Sequence, residues 1–486
     1  MTDQLHAQHY INGEFIDSGS EQSSFDPATG SAIGTYSDGG ADTAELAIAA
    51  ASRAFRETGW RKDAMSRSIA LSHLADAFEA RTSDLIATLC SENGKLQGEA
   101  GFEVHFIPRA LRFAAGLALL NQGKVADTQP GVQSMSIRQA VGVAGIIVPW
   151  NSPAYLCIRA LAPALAAGCT AAVKMPAQAA QTSALLAEIF DSVEDVPTGA
   201  VNFFIESGSA GAQHLVESPA VPVISFTGST HTGRLIARAA ADGLKRVSLE
   251  LGGKTPHLVF DEADLAVVVP TIVASTTVFA GQFCMTGSRI LAQRGIADRL
   301  TEALAEALSA VRPGPASSPD SQIGPMINLA SVARVDAAVD DAIAKGAEVV
   351  VRGGASQLEH LAGGAFYHPT LLKVSDSDRT IVQAETFGPV QTIQVFDTEE
   401  EAIALANDTE YGLSACIWSR DVDRPVRVAR ELEAGLISIN SWANLAVEFE
   451  EGGFKSSGIG RLGGVASLED FLEYKQISHP FVPEVH

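Results

Sequence analysis

Val141-Gly142-Val143-Ala144-Gly145-Ile146-Ile147-Val148 is apolar throughout and rich in β-branched residues. A run of that kind reads as a parallel strand covered on both faces. Working outward, Pro153 to Ala167 reads as an apolar helix of small residues, and Cys169 to Met175 as a second buried strand. Gln181 to Ser192 is helical, Val201 to Phe204 a strand and Ser209 to Glu217 helical. Val223 to Phe226 is a further strand, running into a Gly-Ser-Thr turn and another helix. Strands alternating with helices predict right-handed βαβ units and a doubly wound α/β sheet.

Past Gly253 the rhythm restarts. Asp264 to Ala280, Asp298 to Val311, Ser331 to Lys345 and Glu399 to Leu405 read as helices. Arg289 to Gln293, Glu348 to Arg352, Val390 to Phe396, Ala415 to Trp418 and Leu436 to Asn440 read as strands. Two doubly wound α/β lobes are therefore expected, a Rossmann-like one from 1–121 with 139–252 and a second from 253–452. Two segments, 122–138 and 466–486, fit neither lobe and show strand-like alternation.

With 486 residues, the chain is too long for one ordinary core. Its formal charge of -23 argues against a nucleic-acid partner. The richest apolar stretches are too short to span a bilayer, so no membrane partner is expected. Five cysteines (Cys90, Cys157, Cys169, Cys284 and Cys416) form neither a disulfide framework nor a zinc-ligand pattern, and no metal is expected. Met1 to Tyr10 is polar and lacks a signal-peptide core. A reducing, cytoplasmic location fits these features.

Gly281-Gln282-Phe283-Cys284-Met285-Thr286-Gly287-Ser288-Arg289 sets one cysteine between glycines that allow tight backbone beside the sulfur. A lone cysteine is most often buried and inert. Upstream, Leu249-Glu250-Leu251-Gly252-Gly253-Lys254 places a carboxylate between leucines at a strand end. Desolvation would raise its pKa towards that of a general base; an ion pair with Lys254 or a helix terminus is the alternative. Pro149-Trp150-Asn151 follows the first strand. An amide there could donate to an oxyanion, with a plain Asn-Ser-Pro turn as the alternative.

These three islands, in this order, resemble the aldehyde dehydrogenase superfamily. The likeness runs from the Asn12-Gly13-Glu14 opening to the terminal strand. It implies Cys284 as nucleophile, Glu250 as the base for the thiol or the hydrolytic water, and Asn151 as oxyanion donor together with the Cys284 amide. CoA-acylating relatives generally lack this glutamate, so a free acid is the implied product. The resemblance also implies a nicotinamide cofactor. Gly228 and Ser229 in Phe226-Thr227-Gly228-Ser229-Thr230 match the phosphate-contacting motif, and Lys174 matches the lysine that reaches the adenosine ribose. Glu385 and Phe387 in Glu385-Thr386-Phe387-Gly388-Pro389-Val390 match the glutamate on the nicotinamide ribose and the phenylalanine that braces the ring. Trp150 belongs to the same cofactor set. The two leftover segments correspond to a small projecting sheet that joins subunits, implying a homodimer or homotetramer.

The departures from the family pattern bear on specificity. A glutamate often follows the lysine by three residues and bonds the ribose 2′-OH; here Ala177 stands there, so NAD is expected and NADP stays open. The glycine-rich turn is eroded to Ile205-Glu206-Ser207-Gly208-Ser209-Ala210-Gly211, and the usual Pro-Phe-Gly-Gly is Glu450-Glu451-Gly452-Gly453. The resemblance places Tyr155, Leu156, Arg159, Val278, Phe283, Met285, Trp442 and the Glu448 to Glu451 segment along the substrate channel. Arg159 matches an arginine that binds the carboxylate in semialdehyde enzymes, but benzaldehyde-type relatives have it too. Both substrate classes remain open at this point. A cofactor-independent thiol hydrolase or esterase using the same Cys and Glu is the alternative function.

Overall fold

The computed structural model describes residues 5–120, 122–377 and 379–481. An eight-stranded sheet forms the first lobe, and five of its strands are parallel. In spatial order these are Arg246–Glu250, Val223–Thr227, Val143–Ile147, Thr170–Pro176 and Val201–Glu206. Antiparallel additions finish both edges: Gly458–Ile459 beside Arg246–Glu250, and the hairpin His9–Ile11/Glu14–Ile16 beside Val201–Glu206. Every residue of Val143–Ile147 is buried, as its unbroken apolar run requires. Successive strands go outward on one side of Val143–Ile147, and the chain then returns to its other side. That reversal opens a crevice at the carboxyl ends of Val143–Ile147 and Val223–Thr227, where ligands of open α/β sheets gather.

The second sheet has seven strands, all parallel except Glu348–Val351 at one edge. Two of them, Pro256–Val259 and Thr370–Lys373, were not expected from the sequence. The third unit is the exposed sheet Lys124–Gln129, Val132–Ala140 and Leu472–Pro480, the last two pairing over nine residues. Residues 482–486 of the expected terminal segment lie outside the described residues. Ser20–Phe25 and Ala32–Asp38 form, with Leu5–Ala7, a separate small sheet that the sequence reading did not anticipate.

Two helices differ from expectation by three residues or more at one end. The helix expected over Asp298 to Val311 spans Arg294–Ser309, because Gly295 falls inside its first turn rather than in a loop. The helix expected to reach Ala280 ends at Thr277. Ser275, Thr276 and Thr277 turn their hydroxyls back onto carbonyls of their own helix. Phe279 and Ala280 then adopt left-handed backbone at φ 49° and 53°, followed by Gly281 at 71°. The Phe279 N–H leaves the helix and donates to the Glu99 carboxylate at 2.8 Å. An acceptor from a helix some 180 residues away thus compensates strain that two non-glycine residues would otherwise resist.

Candidate active site

The kink after Thr277 sets the position of Cys284. Gln282 clamps the loop: its side-chain amide donates to the Phe279 carbonyl at 3.0 Å, and its Oε1 accepts from the Ile327 N–H at 3.1 Å. The Gly281 carbonyl accepts from Thr286 Oγ1 at 3.2 Å. Gly281 is required twice, by its positive φ and because a Cβ there would stand 2.3 Å from the Gly388 carbonyl carbon. Arg289 is fully buried and donates to the Leu405 carbonyl at 2.6 Å, tying the strand after the cysteine to a neighbouring helix. Cys284 itself is half-buried. Burial pushes its thiol up to about 12; Arg159 opposes the shift, while Glu385, Glu250 and Glu451 add to it.

Glu250 ends the strand Arg246–Glu250 and is 5% exposed. Its Oε1 is buried and makes no hydrogen bond among the described residues. Burial raises its pKa to about 7; Arg159 and Arg461 pull down and Glu451 and Asp470 push up. Lys254 does not neutralise it. That lysine is buried, lowered to about 7 first by desolvation and then by Arg289, and its acidic neighbour is Glu385. The Leu-Glu-Leu-Gly-Gly turn packs directly on the cysteine loop: a Cβ on Gly253 would stand 2.4 Å from the Cys284 carbonyl oxygen.

Asn151 follows the central strand and is 6% exposed. Its side-chain amide donates to the Gln282 carbonyl at 3.0 Å, within two residues of the thiol. The preceding Trp150 carbonyl is held by Asn93 at 2.7 Å. Just beyond, Glu103 accepts from the Ala154 and Tyr155 N–H groups at 2.9 and 3.1 Å. It therefore caps the helix Pro153–Ala167 and also pairs with the buried Lys95. Asn151 and Cys284 line one cavity. Tyr155, Leu156, Arg159, Phe283 and Met285 line it as expected, whereas Val278 and Trp442 line a neighbouring open groove.

Sequence reading missed the other wall. Phe102 and Phe106 enter the cavity from the helix Gln97–Leu119. The available signal was their i, i+4 spacing beside Glu99 and Glu103, two carboxylates that the helix carries inward. The Glu448 to Glu451 segment does not line this cavity as expected, and each of its three glutamates is held by a partner. Glu448 meets Arg109 at 3.0 Å, Glu450 accepts from the Ala466 N–H at 3.2 Å, and Glu451 pairs with Arg159 at 3.0 Å.

The other expected residues lie along the crevice. Ser229 caps the helix Thr230–Asp242, its Oγ accepting from the Thr232 N–H at 3.2 Å. Such a helix N-terminus at a strand's carboxyl end suits a pyrophosphate. Gly228 has no room for a side chain, since a Cβ would stand 2.5 Å from the Phe226 ring. Lys174 is half-buried in Thr170–Pro176, and its ammonium makes no hydrogen bond or ion pair among the described residues, which leaves it free to donate. Burial lowers its pKa, with Glu206 and Asp38 opposing. Glu206, which replaces a glycine of the eroded turn, bonds the Gly211 and Ala212 N–H groups at 2.6 and 3.2 Å. Glu385 accepts from the Gly253 N–H at 3.1 Å, and burial raises its pKa to about 7. Phe387 adopts φ 49° and meets Trp150 edge-on at 5.5 Å, its carbonyl held by Arg334 at 3.1 Å. An unpartnered lysine, a helix N-terminus and an aromatic pair at one crevice fit a dinucleotide.

Comparison with known proteins agrees with this geometry. The family model described as "Aldehyde dehydrogenase family" matches residues 15–477. The chain is 38% identical over 481 residues to the NADP(+) succinate-semialdehyde dehydrogenase of Escherichia coli, covering 96% of each chain. It is 35% identical over 474 residues to a betaine aldehyde dehydrogenase of Bacillus subtilis, again covering 96% of each. The crystal structure of Staphylococcus aureus betaine aldehyde dehydrogenase in complex with NAD+ superposes with a TM-score of 0.95 at 33% identity, covering 99% of this chain and 96% of that one.

Proposed function

This chain belongs to the aldehyde dehydrogenase family, and on that premise we propose that Cys284, Glu250 and Asn151 together oxidise an aldehyde to its carboxylic acid. The observation that carries the assignment is convergence. Cys284 and Asn151 line one cavity, and Glu250, with a buried unpartnered oxygen, acts electrostatically on the thiol. The Cys284 sulfur adds to the aldehyde carbon, its proton passing to Glu250. Asn151 Nδ2, anchored beside the thiol, stabilises the resulting oxyanion with the Cys284 N–H. NAD(P)+, when bound, accepts the hydride lost from that carbon, leaving a thioester on Cys284. Glu250 releases that proton to solvent and then takes one from water as the water attacks the thioester; passing it to the departing sulfur regenerates the thiol as the acid leaves. The sum is RCHO + H2O + NAD(P)+ → RCOOH + NAD(P)H + H+.

Lys174, Gly228, Ser229, Glu385, Phe387 and Trp150 are proposed to hold the cofactor, lodged in the lobe formed by 1–121 and 139–252, with 253–452 supplying the nucleophile. The exposed sheet of Lys124–Gln129, Val132–Ala140 and Leu472–Pro480 is proposed to join subunits into a homodimer or homotetramer; Val125, Tyr474 and Ile477 leave apolar surface on it. Five unpaired cysteines fit a reducing cytoplasm. No helix among the described residues is long and apolar enough to cross a membrane.

The test is Cys284→Ala. Aldehyde-dependent reduction of NAD(P) should fall by about 10⁴-fold while cofactor binding, read by protein fluorescence, survives. Near-normal turnover in the variant rejects the assignment. Aldehyde or ester turnover needing no nicotinamide would favour the thiol hydrolase instead.

A further inference from the structure

The cavity in front of Cys284 has two aromatic walls. On one side Phe102, Phe106 and Tyr155 form a continuous run, with ring centroids 4.9 and 5.5 Å apart. On the other, Phe279, Phe283 and Trp442 form a second run at 5.7 and 5.8 Å, both contacts edge-to-face. Trp442 braces this wall from behind, donating to the Met285 carbonyl at 2.9 Å.

Two ionic groups line the space, and both are already compensated. Glu103 is saturated by two backbone N–H groups and Lys95. Arg159 is 8% exposed; its charge is balanced by Glu451, which sits on Nη1 at 3.0 Å, while its buried Nε has no partner among the described residues. Glu451 is 6% exposed and cannot swing away freely. Its backbone is clamped against Leu462 by a reciprocal pair of hydrogen bonds at 2.6 and 2.9 Å. A substrate carboxylate would have to displace an intramolecular carboxylate that pays no cost of association. A cationic substrate would meet the aromatic walls favourably, but also the Arg159 guanidinium that lines them. What remains favourable is a flat, uncharged, apolar group.

Resting on the assignment of Cys284 as the nucleophile, we infer that the substrate is a neutral aromatic aldehyde, and that Glu451 sets this specificity by occupying the guanidinium of Arg159. The oxidation is the one balanced above, with R an aryl group and NAD(P)+ the oxidant. Glu451 touches neither the thiol nor the reacting carbon. It acts through Arg159, removing a carboxylate receptor from the cavity.

The experiment compares kcat/KM of the full-length enzyme for benzaldehyde, hexanal, 4-oxobutanoate and betaine aldehyde, with NAD and with NADP. Benzaldehyde should exceed each charged aldehyde by roughly 100-fold or more, because a charge entering this cavity meets a guanidinium and a carboxylate whose charges are already balanced. In Glu451→Gln the guanidinium is released, and the benzaldehyde to 4-oxobutanoate ratio should fall by about 10- to 100-fold. A ratio is insensitive to general loss of activity, and the wild-type comparison stands even where the variant folds poorly. Protection of Cys284 from iodoacetamide without cofactor gives a second readout: benzaldehyde should protect at concentrations where 4-oxobutanoate does not. Wild-type preference for either charged aldehyde, or for hexanal, overturns the substrate class while leaving the dehydrogenase intact. An unchanged ratio in a folded Glu451→Gln overturns the role of Glu451. No oxidation of any of the four removes the dehydrogenase reading and this inference with it.

Discussion

Glu250→Gln should slow the enzyme and, at alkaline pH, make the protein more stable. Burial raises the Glu250 carboxyl from its ordinary 4.5 to about 7. The folded protein therefore holds a proton that the unfolded chain releases from about pH 4.5 upward. The sign follows: between those values the folded state binds more protons, so this group's contribution to stability falls as pH rises through the window. At about 1.4 kcal/mol per pKa unit, the full penalty above pH 7 is roughly 3 kcal/mol. Glutamine keeps the shape of the protonated acid and carries none of this penalty. Denaturant unfolding of both proteins should thus show equal stability near pH 4.5 and an advantage for the variant of up to roughly 3 kcal/mol at pH 8. Activity should move oppositely. The base works only when ionised, so wild-type deacylation should rise about tenfold between pH 6 and pH 8 and level off above. In the variant it should be about 10²- to 10⁴-fold slower, with acyl-enzyme accumulating and visible by intact mass. A variant less stable than wild type at pH 8, or a wild-type deacylation rate flat across that window, would refute the account of Glu250 as a desolvated base.

Two further outcomes follow from the geometry. Gly253→Ala places a methyl 2.4 Å from the Cys284 carbonyl oxygen, so the nucleophile loop must move. A stability loss of about 1–3 kcal/mol and a clear fall in kcat are expected; wild-type behaviour would mean the two motifs do not pack as described. For the cofactor, NAD should bind more tightly than NADP, because no basic residue stands at Ala177 while Glu206 and Asp38 lie within electrostatic reach of Lys174. Ala177→Glu should widen that preference; a fluorescence titration in which NADP binds tenfold tighter to the wild type would contradict it.

Much of this protein was legible without coordinates, because its signals are local. An unbroken β-branched run such as Val143–Ile147 can satisfy its backbone and bury both faces only inside a parallel sheet. Cys284, Glu250 and Asn151 stand in short motifs whose glycines and strand ends announce themselves. What local pattern could not decide involves partners far apart in sequence. The helix before Cys284 stops three residues early because Glu99 captures the Phe279 N–H. Glu250 stays unpaired because Lys254, only four residues on, faces Glu385 instead. Arg159 loses its free charge to Glu451, 292 residues away. The sequence by itself determined the fold class and the chemistry, since periodicity and motif identity depend on neighbours along the chain. Only the tertiary structure decided the protonation of the base, the kink that presents the thiol and the charge balance of the cavity, because burial and Coulomb interaction depend on distance in space.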